Sequence, residues 1–255
     1  MTPHPRRRQP PYADPIQAPG TDEQLWRAAD PWATMPDFAL PASGRVVVVA
    51  AHPDDEVLGV GGAIARLRAD GVAVTVVSVT DGEKSHAASS AAATGRLAAV
   101  RSRELRDALG ELGGADVVRL MVPDTAVAAH EDEVAEALLA LLPGAALCLA
   151  PWTADVHADH EAAGRAAAAA AAGAGVPYAQ YPVWMWHWAT PGDARVPWES
   201  AARVRLPEPV MAAKRAAVAC FTSQTEPLGP DPADAAILPP GELAHHLRPV
   251  ETVLR

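Results

Sequence analysis

The chain has 255 residues, 49% of them hydrophobic, enough to build a full-sized core and to exclude global disorder. Its 31 Asp and Glu outnumber 21 Lys and Arg, for a formal net charge of -10, which argues against the basic face of a nucleic-acid binder and against docking on anionic membrane. Cys148 and Cys220 are too few for a disulfide scaffold, and no apolar run reaches the roughly 18 residues of a membrane span, so a cytoplasmic protein is expected.

Residues 1–20 carry six prolines and little to bury, and they read as a flexible tail. Arg6-Arg7-Arg8 is followed by Gln9-Pro10-Pro11 rather than an apolar stretch, which argues against an export signal. Residues 21–255 are expected to form a single domain, with Trp26, Trp32 and Phe38 anchoring its lead-in. Val46–Ala51 is an unbroken apolar run, the composition of a strand buried on both faces. Gly61–Asp70 is predicted helical, Ala73–Thr80 a strand, Ser85–Thr94 a loop, Leu97–Leu112 a helix and Asp116–Met121 a strand. Glu131–Leu142 follows as a helix, Ala145–Ala150 as a strand, and His160–Ala172 as an Ala-rich helix. Strand and helix alternate at short spacing, which predicts βαβ units: an α/β, Rossmann-like three-layer sandwich with a mostly parallel sheet. Beyond Pro177 only Met211–Phe221 reads clearly as a helix, and the Pro-rich last thirty residues read as a wrapping segment. Trp184, Trp186 and Trp188 alternate as if on one face of a strand.

Ligands of such sheets sit beyond the carboxyl ends of the strands. The first strand runs straight into His52-Pro53-Asp54-Asp55-Glu56, three carboxylates and an imidazole in five residues. Like charges this close repel unless a cation compensates them, and a His and a carboxylate three residues apart can reach one ion. A plain polar turn that caps the next helix is the simpler alternative. A second cluster, Asp155-Val156-His157-Ala158-Asp159-His160, follows the run Ala145–Ala150, and His157 and His160 share a helical face if turning has begun. Gly59-Val60-Gly61-Gly62 after the first strand suggests a dinucleotide loop at a glance. Ile64 stands where its third glycine belongs, and the acidic residues would oppose a pyrophosphate.

The two clusters together resemble the PIG-L/LmbE family of zinc-dependent N-deacetylases. Val79-Thr80-Asp81-Gly82-Glu83, Arg101-x-x-Glu104, Pro123-Asp124 and Ser223-Gln224 extend the resemblance over roughly residues 45–225. It implies that His52, Asp55 and His160 bind one Zn2+ per chain, with another divalent metal as the alternative, since two histidines and an aspartate also suit iron. It implies Asp54 as general base, His157 as the group that polarises the amide carbonyl, and Asp159 as the carboxylate that orients His157. Val156 and Ala158 depart from the family, whose members often carry Gly and Pro there. The corresponding chemistry is hydrolysis: three protein ligands leave zinc a position for water, Asp54 takes the proton, and a protonated His157 faces the oxyanion. Arg101, Asp81, Asp124, Trp184 and His187 are the candidate substrate contacts.

The expected activity is removal of an N-acetyl group from an amino-sugar-containing small molecule. An amidase for a thiol conjugate or a specialised metabolite, and a non-catalytic metal-binding module, are the rivals. A homo-oligomer is left open, since the acidic surface offers no clue to oligomeric state.

Overall fold

Four consecutive valines make β1 (Arg45–Ala50) a strand with no solvent face. In the computed structural model, which describes residues 14–86 and 94–255, its side chains feed two cores alternately. Val46 and Val48 pack with apolar residues of α2 (Asp55–Ala69), α3 (Thr94–Glu111) and α7, and Val47 and Val49 with those of α4 (Glu131–Leu141) and α5 (Ala158–Ala174). The result is the expected three-layer sandwich. The remaining helices are α1 (Glu23–Ala29), α6 (Met185–Trp188), α7 itself (Glu208–Ala219), α8 (Thr222–Thr225) and α9 (Pro240–His246). The other strands are β2 (Ala73–Thr80), β3 (Asp116–Val122), β4 (Leu147–Pro151), β5 (Tyr178–Tyr181), β6 (Ala201–Arg205) and β7 (Val250–Leu254).

The sheet order is β3-β2-β1-β4-β5-β7-β6, with β1 to β5 mutually parallel and β7 antiparallel to both neighbours. Successive crossovers run outward from β1 to β2 and β3 on one side, and to β4 and β5 on the other. The strand order therefore reverses between β1 and β4, where the loops part and a crevice forms.

Several expectations change. The helix read as Gly61–Asp70 begins at Asp55, with Asp55 and Glu56 in its first turn, where acidic groups meet the positive end of the helix dipole. The glycines of Gly59-Val60-Gly61-Gly62 lie inside α2. A Cβ on Gly59 would run into the Tyr181 ring, and one on Gly62 into Leu206, so these positions serve close packing rather than phosphate approach. Trp184–Trp188 is not a strand: α6 winds Met185–Trp188 into one turn, and Trp186 joins Trp26 and Trp32 in a separate apolar cluster. The C-terminal segment does more than wrap, because β7 is inserted between β5 and β6. Within the expected tail, Pro15–Gln17 forms a 3-10 turn and the Ala18 carbonyl accepts from His187 Nε2 at 2.9 Å. Residues 1–13 of that tail, and 87–93 of the loop read as Ser85–Thr94, lie outside the described residues. No helix among the described residues is long and apolar enough to cross a membrane.

Candidate metal centre

The crevice between β1 and β4 collects both polar clusters. β1 delivers His52 through Asp55 on the turn into α2, and β4 delivers Asp155 through His160 on the turn into α5. His52, Asp54, Asp55, Asp155, Asp159 and His160 are all buried. Asp54 sits at φ 129, a region that costs a non-glycine residue energy and marks functional turns. Its carbonyl starts α2 by accepting from Val57 and Leu58 N–H.

Two imidazoles face one carboxylate. His52 Nδ1 lies 3.5 Å from Asp55 Oδ2, and His160 Nε2 lies 3.3 Å from Asp55 Oδ1. On each ring the other nitrogen is tied to buried carboxylates. His160 Nδ1 is 2.9 Å from Asp155 Oδ2, and His52 Nε2 is 3.3 Å from both Asp124 Oδ1 and Asp159 Oδ2. Asp155 is in turn clamped by the N–H groups of Val183, Trp184 and Met185, at 2.9–3.2 Å for the shortest contact of each. Asp159 accepts from Thr125 and Val127 N–H at 2.8 and 3.2 Å.

His157 is different. Its Nδ1 accepts from the Asp159 N–H at 3.3 Å, so the neutral ring carries its proton on Nε2 and presents a donor. Burial, with His160 and His52 beside it, pushes its pKa down to about 3. The Asp159 carboxylate, expected to orient His157, lies 3.3 Å from His52 Nε2.

Opposing effects set the other charges. Burial disfavours charge on His52, yet Asp124, Asp159 and Asp55 hold its pKa well above the usual value. Burial likewise opposes His160, but Asp55 and Asp155 raise it to about 9. Asp55, though buried, is held well below the carboxylate range by His160 and His52. Asp54 is pushed up to about 7 by burial, against the pull of Arg101. Burial also pushes Glu56 up to about 8.

These residues fit a divalent ion. Two tetrahedral ligands with bonds of about 2.0–2.1 Å stand about 3.3 Å apart, close to the spacing of Asp55 from each imidazole. His160 Nε2 is buried without a hydrogen-bond partner among the described residues. Both imidazoles also show the carboxylate-held ring typical of metal ligands. Donor atoms of His52, His157 and His160, and separately of His52, Asp124 and Asp159, all lie within 4.8 Å of one another, so each set is also close enough to share an ion.

The remaining candidates are placed as follows. Arg101 is buried and donates to Asp54 Oδ2 at 3.0 Å, to the Pro53 carbonyl at 2.6 Å and to the Gly82 carbonyl at 2.8 Å. Gly82 has φ +63, and a Cβ there would strike the Arg101 guanidinium, so glycine is required on two counts. Asp124 faces His52 and also accepts from Lys84 N–H at 2.7 Å. Asp81 is held by Arg119 through two hydrogen bonds, at 2.8 and 2.6 Å. Both His187 nitrogens are engaged, Nδ1 with Glu242 at 2.7 Å and Nε2 with Ala18. The structure therefore brings Arg101 and Asp124 to the centre and ties Asp81 and His187 to protein partners. Trp184 reaches the centre through its backbone N–H to Asp155, while its ring lies edge-on to His187. Asp155 was missed as an individual site residue. Its signal was an acidic side chain opening the same short loop as the two histidines.

A strand-end centre of two carboxylate-held imidazoles and an aspartate, set at the reversal point of a Rossmann-like sheet, is an α/β site that could hold a metal ion. Residues 47–171, nearly half of the chain and including every residue proposed for the centre, match the model of the PIG-L family, described as GlcNAc-PI de-N-acetylase. A curated relative, the 1D-myo-inositol 2-acetamido-2-deoxy-alpha-D-glucopyranoside deacetylase of Actinosynnema mirum, is 45% identical over 84 residues, 32% of this chain and 26% of that protein. The match thus spans about a quarter of that relative's length. Among solved structures, the zinc-inhibited form of teicoplanin deacetylase Orf2 aligns with a TM-score of 0.60 at 19% identity, covering 71% of this chain and 85% of that one. The 4-carboxy-2-hydroxymuconate hydratase of Pseudomonas putida KT2440 aligns at 0.55 and 21% identity, covering 71% and 79%. At such identities these two likenesses establish the fold, and one fold carries both a deacetylase and a hydratase.

Proposed function

We propose that the chain is a zinc-dependent N-deacetylase that hydrolyses an acetamido group on a small amino-sugar compound in the cytoplasm. The observation that carries it is the pair of buried imidazoles, each with one nitrogen held by a carboxylate and the other turned to Asp55. His52, through Nδ1, Asp55, and His160, through Nε2, would hold the ion. A divalent metal there supplies Lewis-acid chemistry, activating water and polarising a carbonyl. Asp124, Asp159 and Asp155 hold the two rings, which reassigns Asp124 and Asp159 from the roles expected from sequence.

The protein's own groups do the rest. Asp54 has its Oδ2 engaged by Arg101, and its Oδ1 has no hydrogen-bond partner among the described residues. That oxygen takes the proton of the attacking water and later passes one to the leaving amine, a task suited to a carboxylate raised toward neutrality. Arg101 is a positioning residue that keeps the carboxylate in place. His157 offers its Nε2–H to the oxygen on which charge develops, a neutral donor in a buried site. The sugar substrate class is supported by the named activity of the Actinosynnema mirum relative. The test is a panel of N-acetylated amino sugars, including glucosamine-inositol conjugates, incubated with zinc-loaded protein and read by release of free amine. Stoichiometric zinc with no amine from any member would refute the assignment.

A further inference from the structure

A cavity of about 440 Å³ lies outside the metal centre, between the lead-in segment, β6 and the turn into β7. None of the residues proposed for the metal centre lines it. Four guanidinium groups do: Arg27, Arg203, Arg205 and Arg248, with Trp32 and Asp30 beside them. Arg203 and Arg205 are two positions apart on β6 and so share a face of the edge strand. Both donate through Nε to Asp37 Oδ1, at 2.8 and 3.1 Å, and Arg203 Nη1 also holds the Trp32 and Ala33 carbonyls. Arg27 Nε meets Glu23 at 3.0 Å. Arg248 donates to the same Glu23 through Nε and Nη2, while its Cζ lies 4.4 Å from the centre of the Trp32 ring and 4.3 Å from that of Trp186.

The donor count exceeds the acceptors. Arg205 and Arg27 each engage one nitrogen, leaving both terminal nitrogens without an acceptor among the described residues. Arg203 Nη2 and Arg248 Nη1 are likewise unpaired, and Arg248 is only 2% exposed. Four cations against Glu23, Asp37 and Asp30 leave a positive balance in a chain of net charge -10. These nitrogens are open to the cavity rather than sealed in the core, and guanidinium forks of this kind match the oxygens of phosphate and carboxylate. The volume is within the range of small-molecule sites.

We infer that this cavity is a second binding site, for a small molecule bearing a phosphate monoester. The unpaired donors come from three elements, α1, β6 and the turn into β7, which suits a group with three terminal oxygens better than a carboxylate with two. Asp30 is the one lining carboxylate and works against the anion. The site is independent of the proposed deacetylase chemistry.

The test is 31P NMR titration of EDTA-treated full-length protein with inorganic phosphate, with acetate as competitor. Arg27 and Arg205 side chains are 57% and 62% exposed, so Arg27→Ser/Arg205→Ser should fold normally, as circular dichroism can verify. The expected result is saturable phosphate binding that acetate displaces poorly, weakened at least ~10-fold in the double variant, since a charge-assisted hydrogen bond contributes about 1.5–3 kcal/mol. Asp30→Asn, which tolerates the left-handed φ of 42 at that position, should tighten binding. Absence of saturable binding would overturn the inference, as would a folded double variant that binds phosphate like the parent.

Discussion

Helix α2 carries Asp55 at its first turn and is broken at Val60, whose φ and ψ are -139 and 21. A buried ion pair sits in the break. Lys214 Nζ of α7 lies 2.6 Å from Glu251 Oε1 of β7 and donates to the Leu58 carbonyl at 2.9 Å, while Glu251 accepts from Gly62 and Ala63 N–H at 2.6 and 2.8 Å. In an unbroken helix the Leu58 carbonyl would pair with the Gly62 N–H, so the ion pair replaces the helix's own ladder. Lys214→Met leaves a buried carboxylate without its cation, and Glu251→Leu leaves a buried ammonium; each should cost about 3–5 kcal/mol. In the double variant the helix can close and recover two backbone bonds of about 0.5–1.5 kcal/mol each, so the loss should fall to about 2 kcal/mol. Adding the single losses gives about 6–10 kcal/mol, and the expected coupling is therefore at least ~4 kcal/mol. Urea unfolding of the four proteins at constant m measures it. Closing the break also turns the segment that bears Asp55, so the double variant should bind zinc about 10–100-fold more weakly despite its recovered stability. Additive single losses, or a rescued double variant with unchanged zinc affinity, would refute the role given to the pair.

Asp54→Asn keeps the shape of the side chain and should retain stoichiometric zinc by elemental analysis while turnover falls by about 10²–10⁴. His160→Ala should instead lose the metal, and a metal-free but active His160→Ala protein would remove that ligand from the proposed set. Val156 occupies φ 75, where a β-branched residue is strained. Val156→Gly should raise stability by about 1 kcal/mol in urea unfolding, the relief of left-handed strain less the extra chain entropy of glycine. Hydrogen bonding to Glu242 raises the His187 pKa above its usual 6.5. The stability this supplies is complete below 6.5 and vanishes as pH rises through the raised value, so the deficit of His187→Gln should shrink between pH 6 and 9. A deficit that grows over that interval would contradict the sign.

Legibility followed sequence distance. β1 and the cluster His52–Glu56 could be read because the apolar run and the acidic turn are adjacent, and strand-end placement supplies the rest. The same logic located His157 and His160 after β4. The partners of those side chains lie far away in sequence. Arg101 meets Asp54 47 positions back, and Asp155 is held by backbone N–H groups 28–30 positions on. Those groups come within reach only because β5 ends beside β4. The tryptophan run was misread for a related reason: its alternation fits a strand, but the segment must curl at once to aim three successive N–H groups at Asp155. Lys214 lies within the helix read as Met211–Phe221, and nothing local announces that Glu251 meets it. β7 escaped notice because a five-residue strand pairing antiparallel on both sides carries no crossover helix to advertise it.

Three histidines of one type stand within ring contact, His52 and His160 each about 5 Å from His157. What separates their proposed roles is the partner of the second ring nitrogen. A carboxylate on Nε2 of His52 and on Nδ1 of His160 keeps a proton there, so the nitrogen turned to Asp55 is the one that would give up its proton to bind an ion. A backbone N–H on Nδ1 of His157 does the reverse, placing the proton on Nε2 and making that ring a donor. The residues that assign these roles (Asp124, Asp159, Asp155 and the Asp159 N–H) never need to touch a substrate. Exchanging one of them should therefore change which chemistry an imidazole can perform while leaving the imidazole itself in place.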